Sequence, residues 1–382
     1  MLEPTRMTAL GRSGIREIMD LAAGLDSVVH LEVGEPDFPT PPHVVEAVTS
    51  WLTMGAVKYT LSRGMASLRE ALVAKLAACN GLTVGADQVI VTPGGTTAVV
   101  AAMLAMVEPG DAVLVPDPGW PTFRMAVQLA GGRSVRYPLV AEDRYAPDLD
   151  ALESLAPQAR VLVVNNPSNP TGAVYDQATV EALAALAQRH DLLVISDEVY
   201  EDLVFDGCHV STETYCDDRV VSTFSFSKSY AMTGWRVGYA AGPRVLIERM
   251  VHIQEALVAC PSELGQRAAL AALEGPQDVV ADMRRSYRER WELVRPLLNQ
   301  AGVLASEPRG TFYALVDVHA LGDDTYAVAR DLLVNHRVAV APGETFGPRG
   351  RGLVRISLAT SVDDLVRGVE RIVQSLVAAA NP

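Results

Sequence analysis

From about residue 46 the apolar residues fall in short unbroken runs, each followed by a turn and then by a longer stretch rich in Ala and Leu. The runs at 89–92, 112–115, 134–139, 160–164, 192–196, 220–224 and 236–241 predict seven strands, and 96–107, 120–130, 177–190 and 244–257 predict helices among them. A strand with one solvated face alternates apolar and polar residues. Continuously apolar strands alternating with helices instead predict a mostly parallel sheet covered on both faces. Residues 262–305 predict further helices, with a charged face in DMRRSYRERWELVRPLLNQ turned to solvent. Residues 311–382 read strand, helix, strand, strand, helix, which is a second and smaller α/β unit. Ahead of all this, VVHLEVGEPDFPTPP is extended, because Pro36, Pro39, Pro41 and Pro42 exclude a regular helix. Forty-five such residues cannot build a domain alone, so they are expected to join the C-terminal unit. The expected division is a large domain over 46–285 and a small one from 1–45 and 286–382.

Composition narrows the function classes. The 382 residues include 32 basic and 46 acidic ones, a net charge of −14, which opposes nucleic acid or an anionic membrane as partner. No window is long and apolar enough to span a bilayer and the N-terminus lacks the apolar core of a signal peptide, so a cytoplasmic location is expected. Cys79, Cys208, Cys216 and Cys260 form no CxxC pair and read as reduced thiols; the seven histidines show no zinc spacing. Only three lysines occur, Lys58, Lys75 and Lys228, so chemistry that needs an amine has three candidates.

The candidates for chemistry lie just past strand ends, where ligands bind in open α/β sheets. After the run 89–92, Thr92-Pro93-Gly94-Gly95-Thr96-Thr97 leads into a helix; free N–H groups and the helix dipole suit an anion such as phosphate. Asp197 and Tyr200 follow the run 192–196, and Asn165–Gly172, holding Asn169, forms a proline-stiffened turn after 160–164. Lys228 sits past the run 220–224 between serines, with no acid beside it. A lysine in that setting suits a Schiff base to a carbonyl cofactor, and Arg236 can grip a phosphate with two parallel hydrogen bonds.

These segments, taken together, resemble the class I/II pyridoxal-phosphate aminotransferases of fold type I, the aspartate-aminotransferase-like superfamily. The resemblance runs through SGIREI, LEVGEPDFPTP, KYTLSRG, VTPGGTTA, PDPGW, NNPSNPTG, SDEVYEDL, SFSKSYAMTGWRVGY, RGTFYAL, APGETFG and LVRISLATS, nearly the whole chain, and its specificity lies in their joint order and spacing. It implies pyridoxal 5'-phosphate as cofactor and Lys228 as Schiff-base lysine and proton shuttle. Asp197 is then the partner of the pyridine nitrogen, and Tyr200 and Asn169 are the donors to the ring's phenolic oxygen. Trp120 lies against the ring. Gly95, Thr96, Ser225 and Arg236 hold the phosphate, with Ser227 a further candidate. Tyr59 reaches the phosphate of the other subunit, which implies a homodimer with shared sites. Arg355 clamps the substrate α-carboxylate, aided by the backbone of Gly34, and Ile15 lines the side-chain pocket, which suggests a neutral or aromatic amino acid.

The activity so implied is transfer of an amino group between an L-amino acid and a 2-oxo acid by a ping-pong mechanism. The same scaffold also supports elimination and cyclisation, since the cofactor carries the difficult step. A cofactor-sensing regulator is the remaining alternative, opposed by the acidic charge and by a resemblance that starts near residue 13. A dicarboxylic substrate would require a second cation, for which Arg16, Arg63 and Arg267 are candidates.

Overall fold

The computed structural model describes residues 11, 13–55 and 57–380. Its strands are β1 (Val29–His30), β2 (Val89–Thr92), β3 (Ala112–Asp117), β4 (Arg133–Val140), β5 (Ala146–Pro147), β6 (Val161–Asn165) and β7 (Leu193–Asp197). They continue with β8 (Val220–Ser225), β9 (Gly238–Ala241), β10 (Tyr313–Asp317), β11 (Val338–Ala339), β12 (Ala341–Pro342) and β13 (Leu353–Ser357). The large sheet has the order β2-β9-β8-β7-β6-β3-β4-β5. It holds eight strands rather than the seven expected. The extra one, β5, is a two-residue edge strand ending in proline, too short to leave an apolar run in the sequence.

Pairing is parallel from β8 through β7, β6 and β3 to β4. Strand β9 runs antiparallel to both of its neighbours, β2 and β8, and β5 runs antiparallel to β4. The continuous apolar runs have the reason anticipated, because both faces are buried. Val161 and Val163 pack with the helices Gly95–Met106 and Arg244–Val258 on one face. Leu162 and Val164 pack with Gln177–Arg189 on the other.

This topology gathers ends. Strands β2, β3, β6, β7 and β8 all finish at one edge, and the antiparallel β9 starts there. Thr92, Gly238 and Ser225 stand side by side in register, as do Asn165, Asp197 and Thr223. One sequence boundary moves: β9 begins at Gly238, and Arg236 lies ahead of it with a left-handed φ of 51°, outside the strand expected from 236. Its side chain reaches the turn after β2 because β9 enters the sheet at that edge.

The C-terminal part forms a three-stranded antiparallel sheet, β10-β13-β12. The RVAVAP run is divided between two sheets: β11 pairs in parallel with β1, and β12 pairs with β13. The N-terminal residues Ile18, Val29 and Leu31 share one apolar core with Val316, Leu332, Ile356 and Ile372. Helix Asp278–Gln300 runs unbroken through residues 285 and 286. Among the described residues no helix is long and apolar enough to cross a membrane, and the four cysteines are unpaired.

Candidate active site

A cavity of about 830 Å³ opens where the carboxyl edge of the large sheet meets the smaller sheet and the N-terminal segment. Twelve of the thirteen residues selected from the sequence line it: Ile15, Gly34, Gly95, Thr96, Trp120, Asn169, Asp197, Tyr200, Ser225, Lys228, Arg236 and Arg355. Ser227 lines it as well. The thirteenth, Tyr59, lies outside the cavity and is 90% exposed.

The floor is an anion cradle. Gly94, with φ +84°, turns the chain from β2 into the helix Gly95–Met106, whose first N–H groups have no carbonyl within the helix to bond. A Cβ on Gly94 would stand 2.5 Å from Arg236 Nη2, so a glycine is what lets the guanidinium lie across this turn. Arg236 Nη1 donates to the Thr233 carbonyl at 2.8 Å. Ser225 ends β8 and caps the short helix Phe226–Ser229, its hydroxyl accepting from the Ser227 N–H at 3.1 Å.

Lys228 stands on that short helix, part-buried. Its Nζ donates to the Gly34 carbonyl at 2.5 Å and lies 5.7 Å from the Phe312 ring centre. Burial, with the positive charge of Arg355 next in weight, pulls its amine down from 10.5 to about 8. Asp197 ends β7, with Thr223 Oγ1 3.5 Å from its carboxylate. Burial pushes its carboxyl up to about 7, against the hydrogen bonds from the Val199 backbone and Thr223. Tyr200 is raised well above its usual value, mainly by burial.

Arg355, at the centre of the small sheet, is 2% exposed. Its Nη1 donates to Asn169 Oδ1 at 3.1 Å and its Nη2 to the Glu32 carbonyl at 2.7 Å, while Nε has no partner. The guanidinium lies 4.0 Å over the Tyr313 ring. No carboxylate among the described residues pairs with it. The Asn169 contact occupies that side chain's oxygen and leaves its amide nitrogen as a free donor. Trp120 is half-buried, edge-on to Phe123 at 5.4 Å.

Two features were not legible in the sequence. Tyr313 hydrogen-bonds Tyr200 hydroxyl to hydroxyl at 3.0 Å, carries Arg355 on its face, and stands where a Cβ on Gly34 would be, 2.2 Å from the Tyr313 oxygen. Its motif, RGTFYAL, was visible, but the partners lie far away along the chain. The second is a charged cluster behind Asp197. Glu198 accepts from Ser196, Ser211 and His209 at 2.8, 2.5 and 2.8 Å, and Glu201 pairs with Lys75 at 2.5 Å. Of the remaining arginine candidates, Arg16 lines the cavity. Arg63 pairs with Glu248 at 2.5 Å, and Arg267 pairs with Glu263 and stacks on Trp51.

Comparison with known proteins bears on what this arrangement does. The family profile of aminotransferase class I and II matches residues 26–372. An aspartate/prephenate aminotransferase of Thermus thermophilus is 39% identical over 92% of both chains. Aromatic-amino-acid aminotransferase 2 of Thermococcus litoralis is 35% identical over 96% of both. Among solved structures, an aspartate aminotransferase from Thermus thermophilus with maleate superposes with a TM-score of 0.94 at 37% identity, covering 98% of this chain and 99% of that one. A match of this extent in sequence and in fold places the chain in the class I and II aminotransferases, a family of enzymes that move amino groups between amino acids and 2-oxo acids and typically use pyridoxal phosphate.

Proposed function

We propose that this aminotransferase holds pyridoxal 5'-phosphate on Lys228 and works by a ping-pong cycle, taking an amino group from an L-amino acid and passing it to a 2-oxo acid. One observation carries the reading. Part-buried Lys228 and buried Arg355 are two cations facing one cavity, with no carboxylate in ion-pair contact among the described residues. An unpaired buried charge is strongly destabilising, so a pair of them at one cavity signals a ligand.

The residues fit the cofactor. Gly95, Thr96, Ser225 and Arg236 form a cradle for its phosphate, with Ser227 beside it. Asp197 is the acid for its ring nitrogen, Tyr200 and the Asn169 amide are the donors for its phenolic oxygen, and Trp120 offers a ring face. When bound, pyridoxal phosphate supplies an aldehyde that holds the amino group and an aromatic ring that takes up electrons from the substrate carbon. Asp197, drawn toward its charged form by a cation beside it, keeps a proton on the ring nitrogen. Lys228, its amine lowered to about 8, is neutral in a usable fraction near neutral pH. Its amine would hold the cofactor's aldehyde carbon and, once freed by a substrate amine, would take the proton from the substrate α-carbon and return it. Arg355 forks the α-carboxylate and the backbone of Gly34 assists, which fixes the substrate for that transfer. In this reading residues 46–285 hold the cofactor, and 1–45 with 286–382 carry the carboxylate clamp. Borohydride reduction of the purified protein followed by peptide mapping tests it: the label belongs on Lys228, and a label on Lys58 or Lys75, or no label, overturns it.

The same reading makes the enzyme a homodimer in which Tyr59 serves the neighbour's phosphate. Support comes from the exposed run of Met54, Val57, Tyr59 and Leu61, an apolar strip suited to burial against a second copy. Mixing Tyr59→Ala subunits with Lys228→Ala subunits then restores activity, because one hybrid site is intact. Absence of recovery with exchange confirmed removes Tyr59 from the shared site.

A further inference from the structure

The relatives named above act on aspartate, prephenate or aromatic amino acids, so their names leave the donor class of this chain open. The cavity wall speaks to it. Besides Lys228, three cationic side chains line the cavity: Arg236, Arg355 and Arg16. On the reading just given, Arg236 meets the phosphate and Arg355 the α-carboxylate. Arg16 has no such assignment. It lies in the first turn of the helix Gly14–Ala22, and no acid among the described residues pairs with it. Its recorded side-chain contact is Nη1 to the Met19 sulfur at 3.9 Å, a neutral acceptor. The acid next to it on the helix is engaged elsewhere, Glu17 with Arg330 at 3.0 Å.

We infer that Arg16 reads a second carboxylate, and that this enzyme prefers dicarboxylic amino acids and 2-oxo acids over neutral ones. The inference rests on the function proposed above. Three arguments converge on it. Arg63 and Arg267, the other arginines of this kind, are held by Glu248 and Glu263 outside the cavity, whereas Arg16, an exposed residue, lines its rim with no acid partner among the described residues. The helix that carries Arg16 forms one wall of the cavity with Ile15 and Met19, and Trp120 and Met125 stand among the other lining residues. A substrate chain can therefore rest its methylenes on apolar groups and present its end to a guanidinium. Ile15 alone points to a neutral side chain; one residue further on, Arg16 changes the chemistry of the same wall. Finally, the chain carries −14 overall and repels dianions, while at this cavity Arg16, Arg236, Arg355 and Lys228 outnumber the lining acids Glu35 and Asp197 and favour anions locally. Preference arises as a difference: a neutral side chain leaves Arg16 as it is, and a carboxylate gains a charge-assisted pair.

The test compares Arg16→Gln and Arg16→Lys with the wild type, using aspartate and glutamate as diacid donors and leucine and phenylalanine as neutral ones with a fixed acceptor. Binding of succinate and of butyrate is measured in parallel. For a charge at a cavity mouth, kcat/KM for the diacids is expected to fall roughly ten- to thirtyfold in Arg16→Gln. Succinate should weaken alike, neutral donors and butyrate should change less than threefold, and Arg16→Lys should recover part of the loss. Equal losses on diacid and neutral donors, or no change on either, overturn the inference while leaving transamination in place. A wild type that prefers neutral donors also overturns it. Absence of transamination with every donor tells instead against the proposed function.

Discussion

Lys75 and Lys228 are both part-buried and both lie near an aromatic ring, at 5.2 Å from Phe224 and 5.7 Å from Phe312. Their electrostatic situations are opposite. Burial works against the charge of Lys75, but the Glu201 carboxylate at 2.5 Å outweighs it, and the amine is raised above its ordinary value. Lys228 meets a backbone carbonyl and the charge of Arg355, and its amine drops to about 8. The adjacent acids Asp197 and Glu198 repeat the contrast. Burial would raise both, yet the charge and hydrogen bond of His209, with the Ser211 and Ser196 hydroxyls, hold Glu198 below the usual carboxylate range, while Asp197 rises to about 7. One residue separates an acid whose surroundings are complete from one whose partner must come from outside the chain. Compensated buried charge builds the fold, and uncompensated buried charge marks the site.

The sharpest test of that division is the neighbouring pair of acids. Asp197→Asn is expected to retain the cofactor and lose turnover by roughly 10²–10³-fold, the scale of losing one preorganised electrostatic contact. Glu198→Gln should keep most of its turnover and lose about 1–3 kcal/mol of stability, as a partly unsatisfied buried network does. Single-turnover rates and urea unfolding on the same preparations measure both, and equal turnover losses would erase the contrast.

The lysines give the next largest effect, read on cofactor-free protein by urea unfolding. Lys75→Met strands the Glu201 charge and is expected to cost about 3–5 kcal/mol. Lys228→Met removes a part-buried cation with no ion-pair partner among the described residues and should leave stability at or above that of the wild type. A comparable loss in both variants would mean that Lys228 also holds the fold.

The smallest effect is a pH dependence. Between about 8 and 10.5 the unfolded cofactor-free chain keeps a proton on residue 228 that the folded chain releases. The Lys228 contribution to stability therefore rises with pH across that window. The raised amine of Lys75 acts with the opposite sign, its contribution being lost as pH climbs through its folded value. The wild-type unfolding midpoint, measured against that of Lys228→Met from pH 8 to 10.5, should shift in the wild type's favour as pH rises. Parallel curves would mean that the Lys228 amine is not depressed.

Much of this could be read before the fold was known. Strands buried on both faces must be apolar throughout, so β2, β3, β4, β6, β7 and β8 stand out as runs, while two-residue β5 does not. Strand β9 is legible as a run, but the run starts at Arg236, two residues ahead of the strand, because local propensity carries no sign of the left-handed backbone there. Lys228, Asp197, Asn169 and the Gly94–Gly95 turn stood out because each follows an apolar strand directly, and the motif order supplied Arg355, Trp120 and Gly34.

The list of elements and the chemistry carried by residues next to them are therefore local properties of the chain, since both depend on neighbours a few positions apart. Which charges are answered is settled only in the folded chain. Glu201 meets Lys75 across 126 residues, Tyr200 meets Tyr313 across 113, and Arg355 reaches Asn169 across 186. Whether an arginine such as Arg16, Arg63 or Arg267 is paired or left facing a cavity follows from contacts of that range. Electrostatic compensation acts through space, and no local pattern along the chain encodes it.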